Sequence, residues 1–243
     1  MGLMTGQGGP SGEYEAVALP PARGVARNSL GSAVFLRRSA RPSRRAVLHL
    51  HDMTGSFAPP DLATWYNERG FHFYVSDIDI GESLEPVMRR RAGRAAAGWF
   101  AALDAACAHM RQADGIDAII LSAEESAAAA AALWCDARQS PVDALILASP
   151  DFGRTVRTSL DITCPVLVIS PSAPPAAARR DRRGQDVVRL GQHVTWLYLD
   201  SDPGAPPASG ADLWAGPQRR RLFDEMGRWL GAYMYGNIRD QLL

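Results

Sequence analysis

Ile119-Ile120-Leu121-Ser122-Ala123-Glu124-Glu125-Ser126-Ala127 is the stretch that decides the fold of this 243-residue chain. Three large apolar residues run directly into small and acidic ones, and an alanine run follows at 127–132. That pattern is a buried strand entering a helix through a tight turn. Ser122 and Ser126 flank Glu124 at equal spacing. Small flanking residues permit a sharp, strained bend, which pushes the central side chain out at the strand end. The expectation is a strand over 118–121, Glu124 at the tip of the bend, and a helix over 125–138.

The same alternation extends in both directions. Apolar runs at 46–51 and 72–76 read as buried core strands, those at 142–148, 165–170 and 194–199 as three more strands, and 15–19 and 32–36 as two antiparallel edge strands. Helical periodicity covers 61–69, stopped by Gly70. It covers 90–111 with Trp99, Phe100, Leu103, Cys107 and Met110 on one side. It returns over 219–235 with Leu222, Met226, Trp229, Leu230 and Tyr233 buried. Strands without polar alternation, interleaved with helices, imply a mostly parallel sheet covered on both faces. The expected architecture is α/β: about eight strands in one domain over 13–243, after a disordered lead-in over 1–12.

Composition narrows the function classes. The apolar share of 47% is ordinary for a globular chain, and the formal net charge is +0, so no global field draws it to nucleic acid or to a membrane. The arginine clusters at 89–91, 179–183 and 219–221 are scattered and balanced by acids, and read as solvated faces. No apolar run reaches membrane-spanning length, and the Gly-rich start has no signal core. A cytoplasmic location is expected. Cys107, Cys135 and Cys164 have neither paired spacing nor a neighbouring histidine pair. They read as buried free thiols, with no metal site and no cofactor expected.

Asp52, Asp79, Glu124, Asp151 and Asp200 all fall just past the carboxyl ends of predicted strands, the edge where open α/β sheets bind ligands. Asp79 and Asp200 read as solvated loop acids. Asp52 and Glu124 are the candidate acid/base pair, since neighbouring carboxylates can share a proton. The simpler reading of Glu124 is a cap on the helix that follows it. Ser122 and Ser126 are expected to face the sheet packing.

Four segments together resemble the α/β-hydrolase superfamily, in its branch of monoglyceride lipases, lysophospholipases and serine-aminopeptidase-like enzymes. His51-Asp52-Met53-Thr54-Gly55 is similar to the family's H-G-F-x-x turn. Arg69-Gly70-Phe71 through Asp77 is similar to its R-G-Y strand, and Cys164-Pro165-Val166-Leu167-Val168 to its C-P-V-L-V strand. The stretch around Glu124 is similar to its nucleophile elbow, small-x-nucleophile-x-small. The resemblance implies a Ser-Asp-His triad in that chain order, and three departures from it. Glu124 stands at the nucleophile position. No carboxylate follows the Cys-Pro-Val-Leu-Val strand before Asp181. The loop after the last strand, 200–207, holds no histidine. The family's cap between the strands ending at Ser149 and starting at Pro165 is expected to be absent. Backbone oxyanion donors are implied at Met53 and Glu125; Asp151, at the same edge of the sheet, is a further candidate for ligand binding.

Two readings follow. One is a pseudohydrolase that binds a small molecule or protein partner in the old cleft without turnover. The other is a repurposed non-hydrolytic enzyme, such as the cyclases, dehydratases, isomerases or lyases of natural-product biosynthesis, with Glu124 and Asp52 as acid/base. An atypical esterase is a third, and needs a histidine that the cleft is not expected to hold. An uncapped cleft also leads to the expectation of a homodimer.

Overall fold

The fold is laid out by which residues pair along one sheet. The structure is a computed structural model, and it describes residues 14–19, 33–51, 59–76, 94–150, 159–170, 190–191, 193–199, 213–214 and 216–235. The lead-in expected over 1–12 lies outside them.

The elements in chain order are β1 (Glu15–Ala18), β2 (Ala33–Arg37), β3 (Arg45–Leu50), α1 (Pro60–Glu68), β4 (His72–Ser76) and α2 (Arg94–Gln112). They continue with β5 (Ala118–Glu124), α3 (Glu125–Ala137), β6 (Ala144–Ala148), β7 (Val166–Ser170), β8 (Val194–Tyr198) and α4 (Arg219–Leu230). The eight strands form one sheet in the order β1-β2-β4-β3-β5-β6-β7-β8. β1 pairs antiparallel with β2, and β2 with β4. The other five pairings are parallel.

Alternate residues of each strand feed two cores. On one face Leu48, Leu50, Leu121, Leu145 and Val168 meet Trp99, Leu103 and Met110 of α2 and the buried alanines of α3. On the other face Val47, Phe73, Ile120, Ile146 and Leu167 meet Leu62 and Tyr66 of α1 and Leu222, Met226 and Trp229 of α4. Each large apolar side chain withdrawn from water in this way contributes about 1.5–3 kcal/mol. Ala127 through Ala132 are fully buried. Their small side chains let α3 lie close on β5 and β6.

Polar contacts fix the layers. The Trp134 indole N–H donates to Asp104 Oδ1 at 3.0 Å, and the Arg138 guanidinium grips Asp104 Oδ2 at 2.8 Å, so α3 is tied to α2. α1 begins with Pro60 at its first turn. It ends where Gly70 takes φ +77° and donates its N–H to the Asn67 carbonyl at 3.0 Å. That left-handed geometry suits a residue without Cβ.

α4 ends at Leu230, and a π-helical turn over Gly231–Tyr235 carries the chain on. The single apolar stripe read over 219–235 therefore spans two kinds of helix. Among the described residues no helix is long and apolar enough to cross a membrane.

Candidate functional site

β5 runs three residues further than its apolar residues indicate. Ser122 and Ala123 pair with His49 and Leu50 of β3, and Glu124 pairs with Ala148 of β6. Small side chains do not end a ladder that has a partner on both edges. The bend therefore falls one residue later than expected. Glu124 has an ordinary extended backbone, with φ −119° and ψ 145°. Glu125 takes φ +46°, a left-handed conformation that costs a residue bearing a Cβ about 1–2 kcal/mol. The flanking small residues, at two positions on either side, are Ala123 and Ala127, both fully buried. The elbow is thus Ala123-Glu124-Glu125-Ser126-Ala127, centred on Glu125, which is partly exposed.

This shift corrects two expectations about Glu124. Its side chain does not point out at the sheet edge, and it makes no capping hydrogen bond to α3. By strand alternation it shares a face with Ser122 and Ile120, and that face lies under α1 and α4. Glu124 is 5% exposed. The Trp214 indole N–H donates to its Oε1. His49 Nε2 lies 3.2 Å from the same oxygen, in an ion-pair approach and not an aligned hydrogen bond. Trp214 is itself fully buried and stacks on Phe223 of α4.

His49 also faces Ser122, its register partner across β3 and β5, with Nδ1 to Oγ at 3.2 Å. Tyr66 of α1 is the next polar neighbour of Ser122. Burial drives its phenol above the ordinary range, and the approach of Ser122 opposes that rise. The phenol oxygen makes no well-aligned hydrogen bond. Hydroxyl, imidazole and carboxylate thus stand in a row as Ser122, His49 and Glu124, the residue types of a hydrolytic triad. The row points inward. Ser122 and His49 have no exposed surface, so no acyl group reaches the Ser122 oxygen. What the row does chemically is give Ser122 and Glu124 polar neighbours beneath the elbow, while His49 Nε2 and the Tyr66 hydroxyl have no aligned hydrogen bond among the described residues.

Ser122 does face the packing, as expected. Ser126 sits in the first turn of α3 and is partly exposed, at the outer side of the elbow and not in the core. With Glu125 at the bend, the residue after it, whose amide the family resemblance makes an oxyanion donor, is Ser126 in place of Glu125. Ser149, one residue past β6, has φ +47°. Its buried hydroxyl has no hydrogen-bond partner among the described residues. His193 precedes β8, and its carbonyl accepts from Val166 N at the start of β7, at the sheet edge opposite the elbow.

Asp52, Met53, Asp79, Asp151 and Asp200 lie outside the described residues, as do 171–189 and 201–212, which hold most of the family's acid and histidine loops. Among the described residues no three His, Cys, Asp or Glu side chains are grouped to hold a metal ion. Sequence reasoning overlooked His49 and Trp214. The signal for His49 was its parity: it stands two residues after Val47 on a core strand, beside the one core strand that carries a serine and a glutamate on alternate positions. Trp214 lay in an aperiodic stretch and gave none.

No family model matches the chain, and no curated protein does. Solved structures do. An inhibited esterase B from Lactobacillus rhamnosis superposes with a TM-score of 0.60 at 11% identity, over 98% of this chain and 93% of that one. An esterase from Pyrococcus furiosus gives 0.59 at 12% identity, over 91% of each chain. A dienelactone hydrolase from Anabaena variabilis gives 0.54 at 15% identity, over 91% of this chain and 99% of that one. Identities this low speak for architecture and not for activity. In strand order, pairing and elbow, the chain has the α/β-hydrolase fold.

Proposed function

We propose that this protein is a pseudohydrolase: an α/β-hydrolase scaffold that binds a ligand at the carboxyl edge of its sheet and performs no serine-dependent acyl transfer. The observation that carries the reading is the identity of the strained residue. Glu125 holds the position where a nucleophilic hydroxyl would stand. The serine–histidine contact of Ser122 with His49 is sealed in the core. Trp214 adds support. It reaches the elbow from the connection between β8 and α4, from which the family's histidine would come, and an indole N–H donates but accepts no proton.

The direct test is a fluorophosphonate probe together with a nitrophenyl ester assay on the folded protein. The expected result is no covalent adduct and no hydrolysis above background. An adduct on Ser126, lost in Ser126→Ala, would overturn the reading.

The positive φ of Glu125 favours a second reading. That conformation lifts a side chain from the sheet edge, so the Glu125 carboxylate is placed to serve as a general base in non-hydrolytic chemistry. The two readings part on Glu125→Gln, which keeps shape and removes the proton acceptor. In a binding protein the variant retains ligand affinity within a few-fold. In an enzyme it loses roughly a hundredfold or more of turnover.

A further inference from the structure

Cys135 and Cys164 come from different elements, yet both lie in one buried cluster, and Ser140 links the backbone at Cys135 to that beside Cys164. The Cys135 thiol, in the last turn of α3, donates a hydrogen bond to the Cys164 sulfur, just before β7. The contact is built from both sides. Asp161 N–H donates to Asp136 Oδ1 at 2.6 Å, and Thr163 N–H donates to Ser140 Oγ at 2.9 Å. Each clip lies within a few residues of a cysteine.

The backbone after α3 is bent to make this possible. Gln139 and Ser140 both take positive φ, +55° and +54°. The Ser140 N–H closes on the Cys135 carbonyl at 2.7 Å. Two consecutive left-handed residues are costly without glycine. Here they bring the Ser140 hydroxyl against Cys164.

We propose that Cys135 and Cys164 form an oxidisable dithiol, a modification site at which a small disulfide converts the pair into an internal disulfide joining α3 to the entry of β7. The chemical roles divide cleanly. The hydrogen bond from Cys135, with Ser140 beside it, favours the thiolate of Cys164, while the same bond and then burial hold the Cys135 proton in place. Cys164 is 7% exposed between exposed Thr163 and partly exposed Pro165, so it is the sulfur nearer to solvent.

The Cys164 thiolate attacks one sulfur of the small disulfide, breaks its S–S bond and releases one thiolate. Cys135 then loses its proton to solvent and attacks Cys164 Sγ. The second step forms the Cys135–Cys164 bond and releases the second small thiolate. The protein loses two electrons and two protons, and the reagent gains the electrons. Cys107 stays out of the reaction. It is buried in the packing of α2, and burial pushes its thiol up to about 12, which suppresses the thiolate.

The test incubates the native protein with oxidised glutathione, unfolds it, alkylates the remaining thiols, and reads intact mass and peptide map. The expected product has one alkylated cysteine, Cys107, and a cross-linked pair of peptides carrying Cys135 and Cys164. A melting temperature that rises on oxidation and returns with dithiothreitol is expected alongside it. In Cys135→Ser the reaction should stop at a glutathione adduct on Cys164. In Cys164→Ser both remaining thiols should stay free. The wild-type map decides the matter even if a variant fails to fold. Three alkylated cysteines, a stable glutathione adduct in the wild type, or a cross-link through Cys107 would each overturn the proposal.

Discussion

Glu124 is the residue whose environment departs most from what its neighbours in sequence suggest. A carboxylate in the core is costly unless donors meet it, and here Trp214 supplies one and His49 approaches as the second. Removing one donor leaves the acceptor under-satisfied, a loss of about 1–3 kcal/mol. Trp214→Phe removes the N–H together with part of the indole ring of a fully buried residue, so urea unfolding should show a loss of at least that size, the excess being lost packing. Glu124→Gln keeps an acceptor of lower charge, and hydrogen bonds to neutral groups are roughly half as strong. In the Glu124→Gln background, Trp214→Phe should therefore cost less than it does alone. Equal costs in the two backgrounds would mean that the indole contributes by packing and not by its hydrogen bond.

At the scale of elements, the connection from β2 to β3 is tied to the start of β4 by His72. His72 Nδ1 accepts the Ser39 N–H at 3.0 Å, and Nε2 lies 3.2 Å from the Ser43 carbonyl. The neutral ring with its hydrogen on Nε2 serves both. Burial, first among the causes, lowers the His72 pKa below its ordinary 6.5. The unfolded chain therefore takes up this proton at a higher pH than the folded one. The linked stability is present above about pH 6.5 and is lost as pH falls from there through the folded value. His72→Leu should flatten that part of the stability curve. Urea midpoints compared between about pH 7.5 and pH 5 should converge as pH falls, and parallel curves would remove His72 as the cause.

Periodicity made most elements legible. The apolar runs that became β3, β4, β6 and β7, and the stripe Trp99, Phe100, Leu103, Cys107 and Met110 on α2, are set by burial, which composition reports directly, whereas β8 is an edge strand with no buried residue. The elbow was legible in kind but not in register. Strand length there is set by pairing to β3 and β6, a tertiary fact, and the two candidate centres are both glutamate. The Glu124 contacts were not legible, because they join residues on three separate segments.

For the whole molecule, the open question is what meets the carboxyl edge of the sheet. β8 is the last strand of the sheet, and Trp196 on it is 41% exposed and stacked on Tyr198. Exposed aromatic side chains of this kind are common at interfaces between copies. A formal net charge of +0 removes the repulsion that would keep copies apart. The protein is therefore expected to associate, most simply as a homodimer. Light scattering across a hundredfold dilution should give a mass that falls toward that of one chain, 26.2 kDa, only at the dilute end. Trp196→Ser should move that transition to higher concentration without altering the melting curve of the dilute protein. A single-chain mass at every concentration would refute association.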